Sequence, residues 1–375
     1  MKKILGLLLV FVVTSVFAAE ALKNVVIPSD TKVDWMELKS GEWVRGEFKG
    51  VYSGKVEFDS EEFDLVKFDL DDVQQIVTVG KSMINLNADM PHLGSIYKLN
   101  MLHHKDNEVL GNLSFQNDEF IVKLEDNSTK VLPRETIASI SAGEPKESNY
   151  WSANISLGLD ILSGNSDQVS ATLKADAERR TALTRFRADY LSSYTLVDTN
   201  ITTADNKRLS GSFDLYQTSH FYWRLASLEY SSDAFKNLDR KYTVSAGAGY
   251  DIIYTDTIDW SVTMGPGYQE TRYITVVLGE DIKASTPLLF LDTRYSQEVS
   301  DDVDFILNYS MYYVNEESGE YSHHAETSLK TEFINDLTVN LTIFWDRVKN
   351  PIADDNGIFP GKDDFKTMFF IGYSY

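Results

Sequence analysis

The sequence predicts an all-β protein, a transmembrane antiparallel β-barrel of about twelve strands preceded by a tandem of small SH3-like or Sm-like β modules. Three observations carry that reading. From residue 150 onward, apolar and polar residues alternate with a period of two in one segment after another. The links between those segments are short and longer by turns. The chain also ends on FKTMFFIGYSY, where Phe365, Thr367, Phe369, Ile371, Tyr373 and Tyr375 share one face of a strand.

Residues 1–19 open the chain with Lys2 and Lys3, an apolar run from Ile4 to Val13, and small residues around Ala18, Ala19 and Ala21. That is the layout of a secretory signal peptide, and the run falls short of the roughly 20 residues of a membrane span. Residues 20–149 have shorter strands, more turns and an internal echo. Superposing Gly46 on Gly111 brings Val44–Phe48 onto Val109–Leu113 and Val73–Ile76 close to Ile137–Ile140. Each copy, at about 34–78 and 94–141, reads as a hairpin around a glycine, two short strands and a closing strand ending on isoleucine. Ser141–Ser148 reads as the linker into residues 150–375.

The barrel begins with WSANISLGLDI, whose Trp151, Ala153, Ile155, Leu157 and Leu159 oppose Asn154, Ser156 and Gly158. The alternation recurs through to the tail, with short links such as Thr181-Ala182, Ser219-His220 and Asn335-Asp336. The longer links are Val197–Asn206, Ser232–Asp239, Thr275–Ala284, Glu316–Tyr321 and Val348–Lys362. An even strand count, short periplasmic turns and long outer loops are how bacterial barrels are built, and a soluble sandwich has no reason to alternate its links. The last strand then pairs with the first, and Phe369, Ile371, Tyr373 and Tyr375 read as the C-terminal signal for the β-barrel assembly machinery. Trp151, Tyr194, Trp223, Tyr250, Trp260, Tyr313 and Trp345 suit the interfacial girdles.

Twenty Tyr, twenty Phe, no Cys and a net charge of -22 fit an exported barrel, leave no disulfide or thiolate metal site, and argue against nucleic acid as a partner. Acidic loop residues (Asp198, Asp205, Glu280, Asp281, Asp354 and Asp355) read as solvated, or as collectors of the divalent cations that bridge lipopolysaccharide. No phosphate loop, zinc spacing or nucleophile elbow is present, so neither cofactor nor enzymatic activity is expected. His103-His104 and His323-His324 cannot chelate from one face, because adjacent strand residues point to opposite sides. A lipid hydrolase using His323 with Ser322 or Ser310 is the enzyme alternative. The inward register collects Lys174, Asp176, Glu178, Arg185, Arg187, Asp189, Arg294, Glu326 and Lys330, joined by Arg208, Asp214, Arg224, Asp292 and Glu332. Both signs in a narrow lumen predict ion pairs, which make either a weakly selective pore or a salt-bridged plug.

The run WSANISLGLDILSGNSDQVSATLKADAERRT, with Gly247-Ala248-Gly249-Tyr250 and Gly265-Pro266-Gly267-Tyr268 further on, resembles the salt-induced outer-membrane protein family over residues 150–375. The resemblance implies a stress-linked place in the outer membrane and supplies no catalytic residues. The expected role is non-enzymatic, in envelope structure, adaptation or narrow solute passage. The expected partners are outer-membrane lipid and lipopolysaccharide, the assembly machinery, and a periplasmic protein met by residues 20–149.

Overall fold

A computed structural model describes residues 33–60, 64–87, 108–143, 146–162, 168–197, 201–300, 303–334 and 337–374. The leader, His103-His104, Asp198 and Tyr375 lie outside them, as does the start of the second repeat.

The N-terminal module is one nine-stranded antiparallel sheet that folds around a single core. Its first copy runs through β1 (Asp34–Leu38), β2 (Trp43–Tyr52), β3 (Lys55–Ser60), β4 (Asp64–Asp69), a 3-10 turn and β5 (Val73–Leu86). The second runs through β6 (Glu108–Gln116), β7 (Glu119–Lys123), β8 (Thr129–Pro133), another 3-10 turn and β9 (Ile137–Ala142). The echo next to the two glycines holds in the strand pairing, up to a bulge that only the first copy has after Phe48. Phe48 pairs with Phe58 as Leu113 pairs with Val122, and all four are buried. A Cβ on Gly46 would lie 2.0 Å from the Asp59 carbonyl oxygen, and one on Gly111 would lie 2.5 Å from that of Lys123. Each repeat needs its glycine because a neighbouring strand crosses too close for a side chain.

The copies are not two separate barrels. β5 is 14 residues long: its first part pairs with β1 at Trp35–Leu38, and its second, Ser82–Leu86, pairs with β9. One strand therefore closes the first copy and walls the second, while β9 crosses back to β2 at Gly50–Tyr52. Met36, Phe58, Ile76, Phe115, Phe120 and Ile140, from both copies, meet in the shared core. Asp34 is fixed at the junction, its carboxylate accepting the backbone N–H groups of Phe48 (2.9 Å) and Val79 (2.7 Å). Burial pushes its pKa upward, partly offset by those two bonds.

Residues expected as the linker are partly structured: Ser141 and Ala142 belong to β9, and Glu147–Tyr150 form a 3-10 turn that leads into the barrel. Arg179 Nε holds that turn by donating to Glu147 Oε1 at 2.5 Å.

Twelve strands close the barrel, all antiparallel. They are β10 (Trp151–Leu162), β11 (Gln168–Arg180), β12 (Thr184–Val197), β13 (Ile201–Tyr216), β14 (Phe221–Asp233) and β15 (Leu238–Tyr254). The circuit continues through β16 (Ile258–Tyr273), β17 (Lys283–Ser300), β18 (Val303–Tyr313), β19 (Tyr321–Ile334), β20 (Leu337–Val348) and β21 (Asp363–Ser374). β21 returns to β10 with Ile371 opposite Leu157 and Tyr373 opposite Ile155, so no sheet edge is left facing lipid. The tail alternation is literal: Phe369 and Ile371 are 66% and 63% exposed on the outer wall, whereas Met368 and Phe370 are 5% and 1% exposed inside. Leu157, Leu159, Met264 and Leu289 continue this exposed apolar band around the barrel.

One connection is shorter than expected. The sequence reads Val197–Asn206 as a loop, yet β13 starts at Ile201, which pairs with Val197. The strands run on beyond the apolar band, where alternation has no face to mark.

Candidate functional site

The lumen takes its charges from the inward rows, and β-bulges adjust those rows. A register shift between Arg224 and Ser227 on β14 keeps both Arg224 and Glu229 buried in the lumen. Arg224 Nε donates to Asp214 Oδ1 at 2.8 Å, while Arg185 Nη2 donates to Asp214 Oδ2 at 3.0 Å. Asp214 is 0% exposed, so two guanidinium groups replace all of its water. Arg224 Nη1 also reaches Asp292 Oδ2 on β17 at 3.1 Å. On the wall of β11 and β12, Arg187 Nε donates to Glu178 Oε2 at 2.5 Å.

Two further pairs span the lumen. Arg294 on β17 donates to Asp189 on β12 at 3.1 Å, and Lys174 on β11 pairs with Glu326 on β19. Neither involves neighbouring strands, so each is a strut across the interior. Lys330 lines the same space, opposite Asp304. A separate network uses Glu229, which accepts from Arg208 Nη2 (2.7 Å) and from the Tyr312 hydroxyl (3.0 Å). Apolar Phe344, Met368 and Phe370, with Leu191, fill part of the interior beside it. What remains open is a cavity of about 890 Å³ whose lining includes the charged rows.

The two serines proposed for a hydrolase lie on the wrong side of the wall from His323. Ser310 pairs with His324 and Ser322 with Tyr312, all on the inward row, while His323 stacks on Trp345 (5.7 Å, 10°) outside. The Tyr309 hydroxyl occupies His323 Nδ1 at 2.7 Å. His324 faces inward, 2.7 Å from Asp346 Oδ1. The histidines thus split across the wall, and His323 meets neither Ser310 nor Ser322.

Sequence reasoning missed the mouth of the barrel nearest the module. The β2–β3 hairpin turns at Ser53 and Gly54, with φ of 49° and 79°, as a tight two-residue hairpin requires. Its tip reaches the barrel, where Ser53 Oγ donates to the Ser219 carbonyl (2.8 Å) and to Asp251 Oδ2 (3.1 Å). Asn85 Nδ2 donates to the carbonyls of Ala182 (3.4 Å) and Tyr216 (3.3 Å), and Ser139 Oγ to that of Ala182. Lys67 Nζ meets Asp259 at 2.8 Å. The module therefore satisfies the carbonyls of two short barrel turns.

At the centre stands Arg180, the last residue of β11. Its guanidinium carbon lies 3.6 Å from the centroid of the Tyr52 ring. Its Nε donates to the Tyr216 hydroxyl (3.2 Å), and its Nη1 to the Tyr254 hydroxyl (2.9 Å) and Glu57 Oε1 (3.0 Å). Tyr254 donates to the same Glu57 oxygen. Two strands of the barrel and one hairpin of the module thus form a tyrosine cage with a carboxylate floor around a cation. Burial there pushes the Tyr52 phenol well above its ordinary pKa. The Arg179-Arg180 doublet before a short turn was the one signal in the sequence that could have pointed to it.

Residues 155–375 match the family model described as "Protein of unknown function, DUF481". The chain belongs to that family. No curated protein matches it. Among solved structures, the DUF481 chain is similar to the NanC porin at 12% identity, covering 60% of this chain and 98% of that one with a TM-score of 0.36. It is also similar to the translocator domain of the autotransporter NalP from Neisseria meningitidis (12% identity, 60% and 87% covered, TM-score 0.34). A third likeness is to the outer membrane channel DcaP of Acinetobacter baumannii (10% identity, 80% and 98% covered, TM-score 0.26).

Proposed function

We propose that this DUF481 protein is a narrow passage for small polar solutes in the bacterial outer membrane, held shut from the periplasmic side by its own N-terminal module. The observation that carries the reading is the Arg180 cage, which joins Tyr52 and Glu57 of the module to Tyr216 and Tyr254 of the barrel above a charged cavity. The module sits against the short turns, and short turns face the periplasm in barrels of this kind, which supports residues 20–149 lying there. The exposed apolar band supports contact with outer-membrane lipid. Phe369, Ile371, Tyr373 and Tyr375 keep their proposed role as the signal read by the assembly machinery. The stress-linked role implied by the family resemblance, and a periplasmic protein that draws the module away, complete the proposal.

Planar-bilayer conductance tests it. The full chain is expected to be mostly closed, and Arg180→Ala to raise the mean current several-fold. Guanidinium chloride added to Arg180→Ala refills the cage and returns the current toward the closed level. A variant that conducts no more than the full chain, although limited proteolysis finds its module released, would overturn the reading.

A further inference from the structure

We propose that the lumen carries a site for a small zwitterion, an organic solute with an ammonium and a carboxylate held apart on one short chain. The proposal rests on the passage reading for its biological sense, and on the lumen's own chemistry for its content. The charged side chains that face the cavity cancel almost completely against one another, so the groups left over define what a ligand would meet.

Two such groups share one patch of wall. Asp176 lines the cavity and makes no hydrogen bond or ion-pair contact among the described residues; Lys174 and Arg294, both committed to other carboxylates, act on it only from further off. Arg187 commits its Nε to Glu178, while its Nη1 is buried without a partner. Asp176 lies opposite Asp189, and Arg187 precedes Asp189 by two residues on the same inward row. The two are therefore diagonal neighbours across one strand pair, with backbones about 7–8 Å apart. On the far wall, Asp292 Oδ1 is likewise buried and without a partner.

An anion alone would meet Arg187 but also Asp176, Asp189 and Glu178. A cation alone would satisfy Asp176 but face Arg187, Lys174 and Arg294. A solute with both charges places its ammonium on Asp176 and its carboxylate on Arg187 Nη1, and leaves every existing pair in place. A cavity of about 890 Å³ falls within the size range of small-molecule sites. Restoring partners to polar groups in a confined space is favourable because leaving them bare there is costly.

Equilibrium dialysis of the detergent-solubilised full chain against labelled γ-aminobutyrate tests this, with butyrate and n-butylammonium as single-charge competitors. Saturable one-to-one binding is expected, with either competitor weaker by about tenfold or more, the worth of one charge-assisted contact. Asp176→Asn, which breaks no existing pair, should weaken γ-aminobutyrate by a similar factor and, by removing a like charge, leave butyrate bound as well as before or better. No saturable binding, equal binding of the three probes, or an Asp176→Asn variant that binds like the parent would each overturn the proposal. Dialysis does not depend on conduction. Binding without any openable current would sink the passage reading alone, and current without binding would sink the zwitterion site alone.

Discussion

The module and the barrel are built on opposite plans from similar strands. In the module, phenylalanines such as Phe48, Phe58, Phe115 and Phe120 are wholly buried, and apart from Asp34 the charges lie outside or at the docking face. In the barrel, Phe365 and Phe369 stand exposed on the wall, while Asp214 and Arg185 are sealed within. The same period-two alternation serves both; only the solvent on each face differs. Water drives the module's apolar face inward, whereas lipid welcomes it outward and leaves the interior to be settled by ion pairs.

Substitutions can break that contrast, the largest effect first. Asp214→Ala removes the carboxylate shared by Arg185 and Arg224 and leaves two buried cations facing each other. A loss of roughly 3–5 kcal/mol is expected, the cost of an uncompensated buried charge. It would be read as loss of the compact unboiled species on a cold detergent gel. Next comes a matched pair. Phe115→Ala opens a cavity in the module core and should cost about 3–5 kcal/mol. Phe369→Ala only exchanges one lipid contact for another and should cost clearly less. Equal losses, measured by denaturant unfolding in the same micelles, would show that the two phenylalanines see the same surroundings.

The smallest effect concerns Asp34. Burial raises its pKa above the ordinary 3.8, so the stability it contributes is complete below that value and is lost as pH rises through the raised one. Asp34→Asn should flatten that dependence and, because an amide has one acceptor oxygen, weaken one of the two backbone bonds. Amide exchange at Phe48 and Val79, corrected for intrinsic rates, reports both effects.

Much of this plan was written in the sequence, because alternation follows directly from which solvent each face meets. The twelve strands, the closing tail and the inward charges at Lys174, Arg187 and Arg294 are local properties of single strands. Who pairs with whom is not local. Arg294 finds Asp189 through the curvature of a closed sheet, and no spacing within either strand encodes that. The docking face was hidden for a related reason. Tyr52 and Asn85 read as ordinary module residues until a barrel turn more than ninety positions downstream covers them. Val197–Asn206 misled in the opposite way, since strand pairing there outlasts the apolar pattern.

The shared strand β5 has a consequence for inheritance. A duplicated domain ordinarily keeps two independent copies, either of which can be lost or diverge. Here the last strand of the first copy is also the first wall of the second, and β9 returns to brace β2. Deleting one copy would strip the survivor of a side, and a substitution in Ile84 is felt by both. Neither copy can therefore be altered at that strand without reaching the other.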